Sequence, residues 1–239
     1  METQQHKWHS PSLGRVMEMR VYGRAGARVL VFPTSMGRYW DWEDRGMIDA
    51  LSSHLENGWI QLYCVDSVDT ESWYNKQVHP SLRAKRHAQY DSYISGEVLP
   101  FSASRNTQPF VIATGASFGA YHAIAFGFRH PTRVGRVLGM SGLYDIRQLT
   151  DGYSDEDVYF GNPFDSIANE HDPARIKALQ RMDIILAIGQ DDPASQNNRA
   201  LSERLWQRGI GNALRIWDGW AHDWPYWQRM IRLYIGGHD

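Results

Sequence analysis

The sequence predicts an α/β fold in which a mostly parallel sheet carries helices on both faces. Short apolar runs alternate with longer amphipathic segments along most of the chain, which is the pattern of repeated strand–helix units. Several of the short runs are apolar at every position, as expected of strands that are covered on both faces. The chain has 239 residues, of which 42% are hydrophobic, and can form one large core. We therefore expect a single domain over residues 1–239.

The predicted strands begin with residues 16–22, where large and polar side chains alternate as they do in an edge strand. The other strands are expected at residues 28–32, 59–65, 110–113, 134–140, 183–188 and 213–217. Ligands of such sheets bind at the carboxyl ends of the strands. The residues that directly follow each strand are therefore the functional candidates.

The predicted helices lie between the strands, at residues 47–55, 79–104, 120–128, 195–208 and 224–234. Pro100 is expected to bend or end the second of these helices, because proline has no N–H for helical bonding. Residues 142–180 show few periodic runs and interrupt the alternation. We interpret them as a small cap or insertion rather than a second domain.

Composition argues against several classes of protein. The 25 basic and 27 acidic residues are interspersed and give a formal charge of -2, without the basic stripe that is typical of nucleic-acid binding. Cys64 is the only cysteine, which excludes an intrachain disulfide. We expect a cytoplasmic protein without membrane partners, since the N-terminus has no signal-peptide pattern and no apolar run reaches spanning length. His6 and His9 lack further ligands, and we expect neither a metal nor a cofactor.

A Gly-x-Ser-x-Gly motif, formed by Gly115, Ser117 and Gly119, follows the strand at 110–113 and directly precedes a predicted helix. Small residues two positions from the serine let the strand and the helix pass closely. Such a turn lifts the serine hydroxyl above the sheet, near the positive end of the helix. A glycine-rich turn with a helix-capping serine could have the same sequence. The position of the motif between a strand and a helix favours a nucleophile instead.

Two later strands are followed by residues that match a serine nucleophile. Asp191 and Asp192 come after the strand at 183–188, where either can orient a histidine or cap the next helix. His222 follows the last strand. A single loop histidine is more often a surface residue, but the order Ser, Asp, His after three strands is the order that this topology uses for nucleophilic catalysis. We predict Ser117 as nucleophile and His222 as base.

The tetrahedral oxyanion of such a reaction needs N–H donors that are already in place. One candidate is the backbone N–H of Phe118, next to the nucleophile, and the loop after residues 28–32 supplies a second near Ser35. Aromatic residues crowd the loops around the expected site, and packing in the core is the plain alternative for each of them. As substrate-binding candidates we take Trp40, Trp73, Tyr74 and Trp220.

The chain resembles the putative-esterase group of the α/β-hydrolase superfamily, which includes esterase D, enterochelin-type esterases and mycolyltransferases. The resemblance covers nearly the whole chain and rests on the segments GASFG, IGQDDP and WDGWAHDWPYW. It implies the α/β-hydrolase fold, Ser117 and His222 in the roles given above, and Asp192 rather than Asp191 as the acid. The chain departs from many relatives at residues 33–36, where PTSM stands in place of a His-Gly pair at the second oxyanion donor.

The leading hypothesis is a serine esterase that hydrolyses small acyl esters through an acyl-enzyme intermediate. One alternative is an acyltransferase that uses the same residues with an alcohol in place of water. Another is a non-catalytic binding protein that keeps the fold. The expected partner is a small-molecule ester, and the sequence leaves the natural acyl group and the oligomeric state open.

Overall fold

An eight-stranded sheet lies at the centre of the molecule. The structure is a computed structural model and describes residues 2–237. The strands are Thr3–Ser10 (β1), Arg15–Tyr22 (β2), Ala27–Phe32 (β3), Ile60–Val65 (β4), Val111–Ala116 (β5), Arg136–Met140 (β6), Asp183–Gly189 (β7) and Ala213–Trp217 (β8). They are ordered β1-β2-β4-β3-β5-β6-β7-β8 across the sheet. The strands from β3 to β8 are parallel, whereas β1 and β2 are antiparallel to their neighbours.

Helices cover both faces of this sheet. They are Asp41–Asp44 (α1), Met47–Ala50 (α2), Ser52–Glu56 (α3), Pro80–Tyr93 (α4), Leu99–Arg105 (α5), Phe118–Arg129 (α6), Glu156–Gly161 (α7), Pro163–Ala168 (α8), Pro173–Leu179 (α9), Ser195–Gln207 (α10) and Trp224–Tyr234 (α11). Leu30 and Phe32 of β3 belong to a buried cluster that includes side chains of α4, α6 and α10, and Val29 and Val31 belong to a second cluster that includes side chains of α2 and α11. Alternate residues of β3 are thus buried on opposite faces of the sheet. This confirms the predicted α/β class, in which both faces of the strands are covered.

The first strand was not predicted, and its presence corrects the position of the second. β1 pairs with β2 along its whole length, so residues 16–22 form a strand but not an edge strand. Of the eight side chains of β1, only that of Ser10 is buried. Because an edge strand of this kind is held by backbone hydrogen bonds, its sequence carries no apolar alternation to detect.

The predicted helix at 79–104 is nearly continuous, but Pro100 does not end it. A π-helical turn at Ile94–Val98 joins α4 to α5, and the N–H of Leu99 donates to the carbonyl of Ile94 across that turn. Pro100 then lies in the first turn of α5, where an intrahelical donor is not needed.

Residues 142–180, predicted as a cap, contain a 3₁₀ turn at Arg147–Leu149 and the helices α7 to α9. Their buried side chains Ile146 and Val158 cluster with Phe118 and Tyr121 of α6. The segment is therefore packed against the helix that follows the Gly-x-Ser-x-Gly motif. In the part of the chain that the structure describes, none of the helices combines the length and apolar character needed to cross a membrane.

Candidate active site

Ser117 occupies a sharp turn between β5 and α6. Its backbone has φ 55° and ψ −121°, a sparsely populated region that persists only where the surroundings enforce it. A Cβ on Gly115 would lie 2.3 Å from the carbonyl carbon of Gly119, and one on Gly119 would lie 2.4 Å from the carbonyl oxygen of Phe32. Only glycine fits at these two positions. The N–H of Ser117 donates to the carbonyl of Met140 at 2.8 Å, which ties the turn to β6.

Side chains from three strand ends meet at this turn. His222 Nε2 is 3.1 Å from Ser117 Oγ, and His222 Nδ1 is 2.6 Å from Asp192 Oδ2. An ionised carboxylate only accepts hydrogen bonds, so Nδ1 carries the proton and Nε2 faces the hydroxyl as an acceptor. Asp192 is buried and its other oxygen accepts the N–H of Ala194 at 2.8 Å, whereas Asp191 is exposed. The structure thus brings Asp192, and not Asp191, to the imidazole.

The loop that carries His222 is tied to the end of β6 by a serine whose role the sequence did not reveal. Ser141 and Ala221 both have left-handed backbones, with φ 53° and 45°. Ser141 Oγ donates to the carbonyl of Ala221 at 3.0 Å and accepts from Trp227 Nε1 at 3.0 Å. A serine directly after an apolar strand was the available signal. It has Gly139 two positions before it, but Leu143 stands where the motif of a nucleophile turn has its second glycine, so the sequence does not single it out.

The two predicted oxyanion donors belong to residues that line the same cavity as Ser117. Phe118 is the first residue of α6, and Ser35 lies in the turn after β3. Among residues 2–237 the backbone N–H of Ser35 has no hydrogen-bond partner, and its hydroxyl is 2.9 Å from Tyr74 Oη. Burial raises the pKa of Tyr74, and the nearby charge of Asp69 adds to this effect. Tyr74 therefore faces the site as a neutral phenol.

A cavity of about 140 Å³ opens beside Ser117 and His222. Ser35, Tyr74 and Phe118 form part of its wall. The segment 142–180 completes the wall with Leu143, Ile146, Gln148 and Leu149. Apart from His222, the side chains that line the cavity carry no ionisable charge at neutral pH. The cavity is therefore suited to an uncharged group.

Of the four aromatic residues predicted to bind substrate, all within the described part of the chain, Tyr74 alone lines the cavity. Trp73 belongs to the core instead: it has no exposed surface, and its Nε1 donates to Tyr121 Oη at 2.9 Å. Trp40 lies under the guanidinium of Arg38, at 4.6 Å. Trp220 is half exposed and its ring stacks on that of His222 with 5.4 Å between centroids.

A family model described as "Putative esterase" matches residues 59–232. The chain belongs to this esterase family. It is accordingly an esterase-type hydrolase, and the predicted resemblance is confirmed. No curated protein sequence matches the chain.

Solved structures extend the comparison to the fold of this esterase. A ferulic acid esterase has a TM-score of 0.77 at 17% identity and covers 97% of this chain and 95% of its own. An S-formylglutathione hydrolase from Agrobacterium tumefaciens has a TM-score of 0.74 at 15% identity, over 96% and 91% of the two chains. The enterobactin esterase FES from Shigella flexneri has a TM-score of 0.62 at 19% identity, over 97% of this chain and 57% of that one. At these identities the likeness establishes the α/β-hydrolase fold.

Proposed function

We propose that the protein is a serine esterase that cleaves small acyl esters through an acyl-enzyme intermediate. Ser117 is the nucleophile, His222 the general base and Asp192 the carboxylate that orients it. The observation that carries the proposal is the unbroken chain of contacts, 3.1 Å from Ser117 Oγ to His222 Nε2 and 2.6 Å from His222 Nδ1 to Asp192 Oδ2. A neutral serine hydroxyl is a poor nucleophile, and this chain supplies the adjacent base that it needs.

In the first half of the reaction, Ser117 Oγ attacks the ester carbonyl while its proton passes to His222 Nε2. Asp192 stabilises the imidazolium that forms, and the same proton then goes to the leaving alcohol. The negative charge that develops on the carbonyl oxygen is stabilised by the backbone N–H groups of Phe118 and Ser35. In the second half, water replaces the alcohol, His222 removes its proton, and the acid is released as Ser117 is regenerated.

The size and lining of the cavity support a short, uncharged acyl group. A volume of about 140 Å³ corresponds to roughly five groups the size of a water molecule, at ~30 Å³ each. Leu143, Ile146 and Leu149 give the cavity an apolar wall that favours an alkyl or compact acyl chain. We expect kcat/KM to be highest for short p-nitrophenyl esters and to fall as the acyl chain exceeds this space.

The test is hydrolysis of p-nitrophenyl esters of increasing acyl length by the wild type and by Ser117→Ala. The variant should lose about four to six orders of magnitude in kcat and keep its fold, because the removed hydroxyl only serves the chemistry. Ser92→Ala, which alters an exposed serine of α4, is the matched control and should be fully active. Near-normal turnover of Ser117→Ala would exclude Ser117 as the nucleophile.

Two measurements distinguish the rival functions. Adding an alcohol and measuring the ratio of new ester to free acid separates hydrolysis from acyl transfer, because the acceptor alone differs. Incubation with a fluorophosphonate separates an active serine from a retained but inert fold. Labelling of the wild type and its absence in Ser117→Ala is the expected result, and an unlabelled wild type would favour the binding protein.

A further inference from the structure

The turn that carries Ser35 is held by a carboxylate on each side. Asp41 Oδ2 accepts both the N–H and the hydroxyl of Thr34, each at 2.9 Å. Asp69 Oδ2 accepts the N–H of Met36 at 2.9 Å. Ser35 lies between these two fixed residues. The backbone of Ser35 is therefore positioned through its two neighbours, and its hydroxyl adds one contact of its own, to Tyr74 Oη at 2.9 Å.

Met36 has an unfavourable backbone conformation that the contact to Asp69 helps to stabilise. Its φ is 57°, in the left-handed region that is unfavourable for a residue with a Cβ. Its side chain is 52% exposed and so packs too little to impose this conformation. The backbone hydrogen bond to the buried Asp69 carboxylate stabilises this unfavourable backbone, together with the N–H of Gly37, which donates to the carbonyl of Thr34 at 2.8 Å.

Asp69 also contacts the helix on the other side of the site. Its Oδ1 is 2.8 Å from His122 Nε2, and both side chains are buried. His122 lies on α6, which begins at Phe118. One carboxylate therefore joins the turn that carries Ser35 to the helix that carries Phe118.

The ring of His122 has little freedom to leave this contact. It stacks on Phe32 and on His87, with 6.0 and 5.5 Å between centroids, and meets Phe118 edge-on at 4.9 Å. The backbone carbonyl of Asp69 in addition accepts the N–H of Tyr74 at 3.0 Å. Asp69 and His122 thus form a buried link between the turn that carries Ser35 and the helix that begins at Phe118.

We propose that Asp69 and His122 are positioning residues for the oxyanion site, which hold the Ser35 turn in register with the start of α6. The inference rests on the proposed function, in which the N–H groups of Ser35 and Phe118 stabilise the oxyanion. Both residues are too deeply buried to touch the substrate. Their effect is expected on the transition state, since displacing an N–H donor affects the charge that develops there and leaves substrate binding unchanged.

The test is Asp69→Asn, with Asp91→Asn as its matched control. Asparagine keeps the shape of Asp69 but is uncharged, and its NH₂ group only donates. Both links then lose their charged acceptor, and His122 keeps its contact only with Nε2 unprotonated. Asp91 accepts from His130 Nε2 at 2.9 Å near the other end of α6. The control therefore weakens a second carboxylate–histidine contact, more exposed than the first, at the end of the same helix and away from Ser117.

Three quantities are measured for each variant: kcat and KM for p-nitrophenyl acetate, and Ki for an alkyl boronic acid. The boronic acid forms a tetrahedral anionic adduct with the serine and so resembles the transition state. For Asp69→Asn we expect kcat to fall about 10- to 100-fold and Ki to rise by a similar factor. KM should stay within about twofold of the wild type. Asp91→Asn should leave all three within about twofold.

Unchanged kcat and Ki in Asp69→Asn, or equal losses in Asp91→Asn, would overturn the inference. If Asp69→Asn does not fold, His122→Phe takes its place, because phenylalanine keeps the ring contacts to Phe32 and Phe118 and removes the bond to Asp69. The same rise in Ki is expected. Ser117→Ala is measured in the same series: retained turnover there would refute the proposed function, whereas its loss beside a normal Asp69→Asn refutes the positioning role alone.

Discussion

Replacing Asp192 with asparagine should move the proton of His222 to the wrong nitrogen. The N–H of Ala194 donates to Oδ1 of Asp192 at 2.8 Å, so the amide oxygen of asparagine must take that position. Its NH₂ group then lies 2.6 Å from His222 Nδ1 and can only donate. Nδ1 becomes the acceptor, and Nε2 carries its proton towards Ser117. A base that already holds a proton cannot accept that of the serine.

We expect kcat/KM to fall about 10³- to 10⁴-fold, which corresponds to roughly 4 to 5.5 kcal/mol of lost transition-state stabilisation. The substitution preserves volume at a buried site, so the melting temperature should change little. The assay is hydrolysis of p-nitrophenyl acetate, with thermal unfolding measured on the same preparation. Asp191→Asn is the matched control and should stay within about twofold, because that side chain is exposed.

Two results would refute this reasoning. One is Asp192→Asn that keeps more than about a tenth of the wild-type kcat/KM, since a wrong tautomer leaves no general base. The other is an equal loss in Asp191→Asn, which would assign the orienting role to the neighbouring carboxylate.

Gly119→Ala should lower the free energy of unfolding by about 1–3 kcal/mol in denaturant titration, because its Cβ would lie 2.4 Å from the carbonyl oxygen of Phe32. Gly96→Ala, with no heavy atom within 4 Å of the new Cβ, should not destabilise, and equal losses would contradict the argument. Cys64 should react with a thiol reagent only after unfolding, since it is fully buried and burial raises the pKa of its thiol. Rapid labelling of the native protein would contradict this.

The strands were predictable where burial imposes a pattern. β3 and β7 are apolar at nearly every position because both of their faces are covered. β1 has no such pattern, because it lies at the edge of the sheet and is held by backbone hydrogen bonds. Its mostly polar residues therefore show no periodicity that predicts a strand. The order of elements was recoverable from the sequence, and the outermost strand was not.

The parts of the candidate site that could be predicted are the residues that directly follow strands in the sequence. Ser117 and His222 directly follow strands, and parallel strands place such residues at one edge. Neighbouring residues were harder to separate, since Trp73 points into the core while Tyr74 faces the cavity. Asp69 and His122 are 53 residues apart in the sequence. No sequence motif marks such a contact, so it could be found only from the folded structure.

The three proposed catalytic groups are not equally embedded. Ser117 follows β5, which has a neighbour on each side, whereas His222 follows β8, which is bonded to β7 alone and keeps its side chains partly exposed. Turnover should therefore depend on whether β8 remains paired with β7. We expect mild denaturant to lower turnover before the central strands unfold, since local opening begins where burial and hydrogen bonds are fewest.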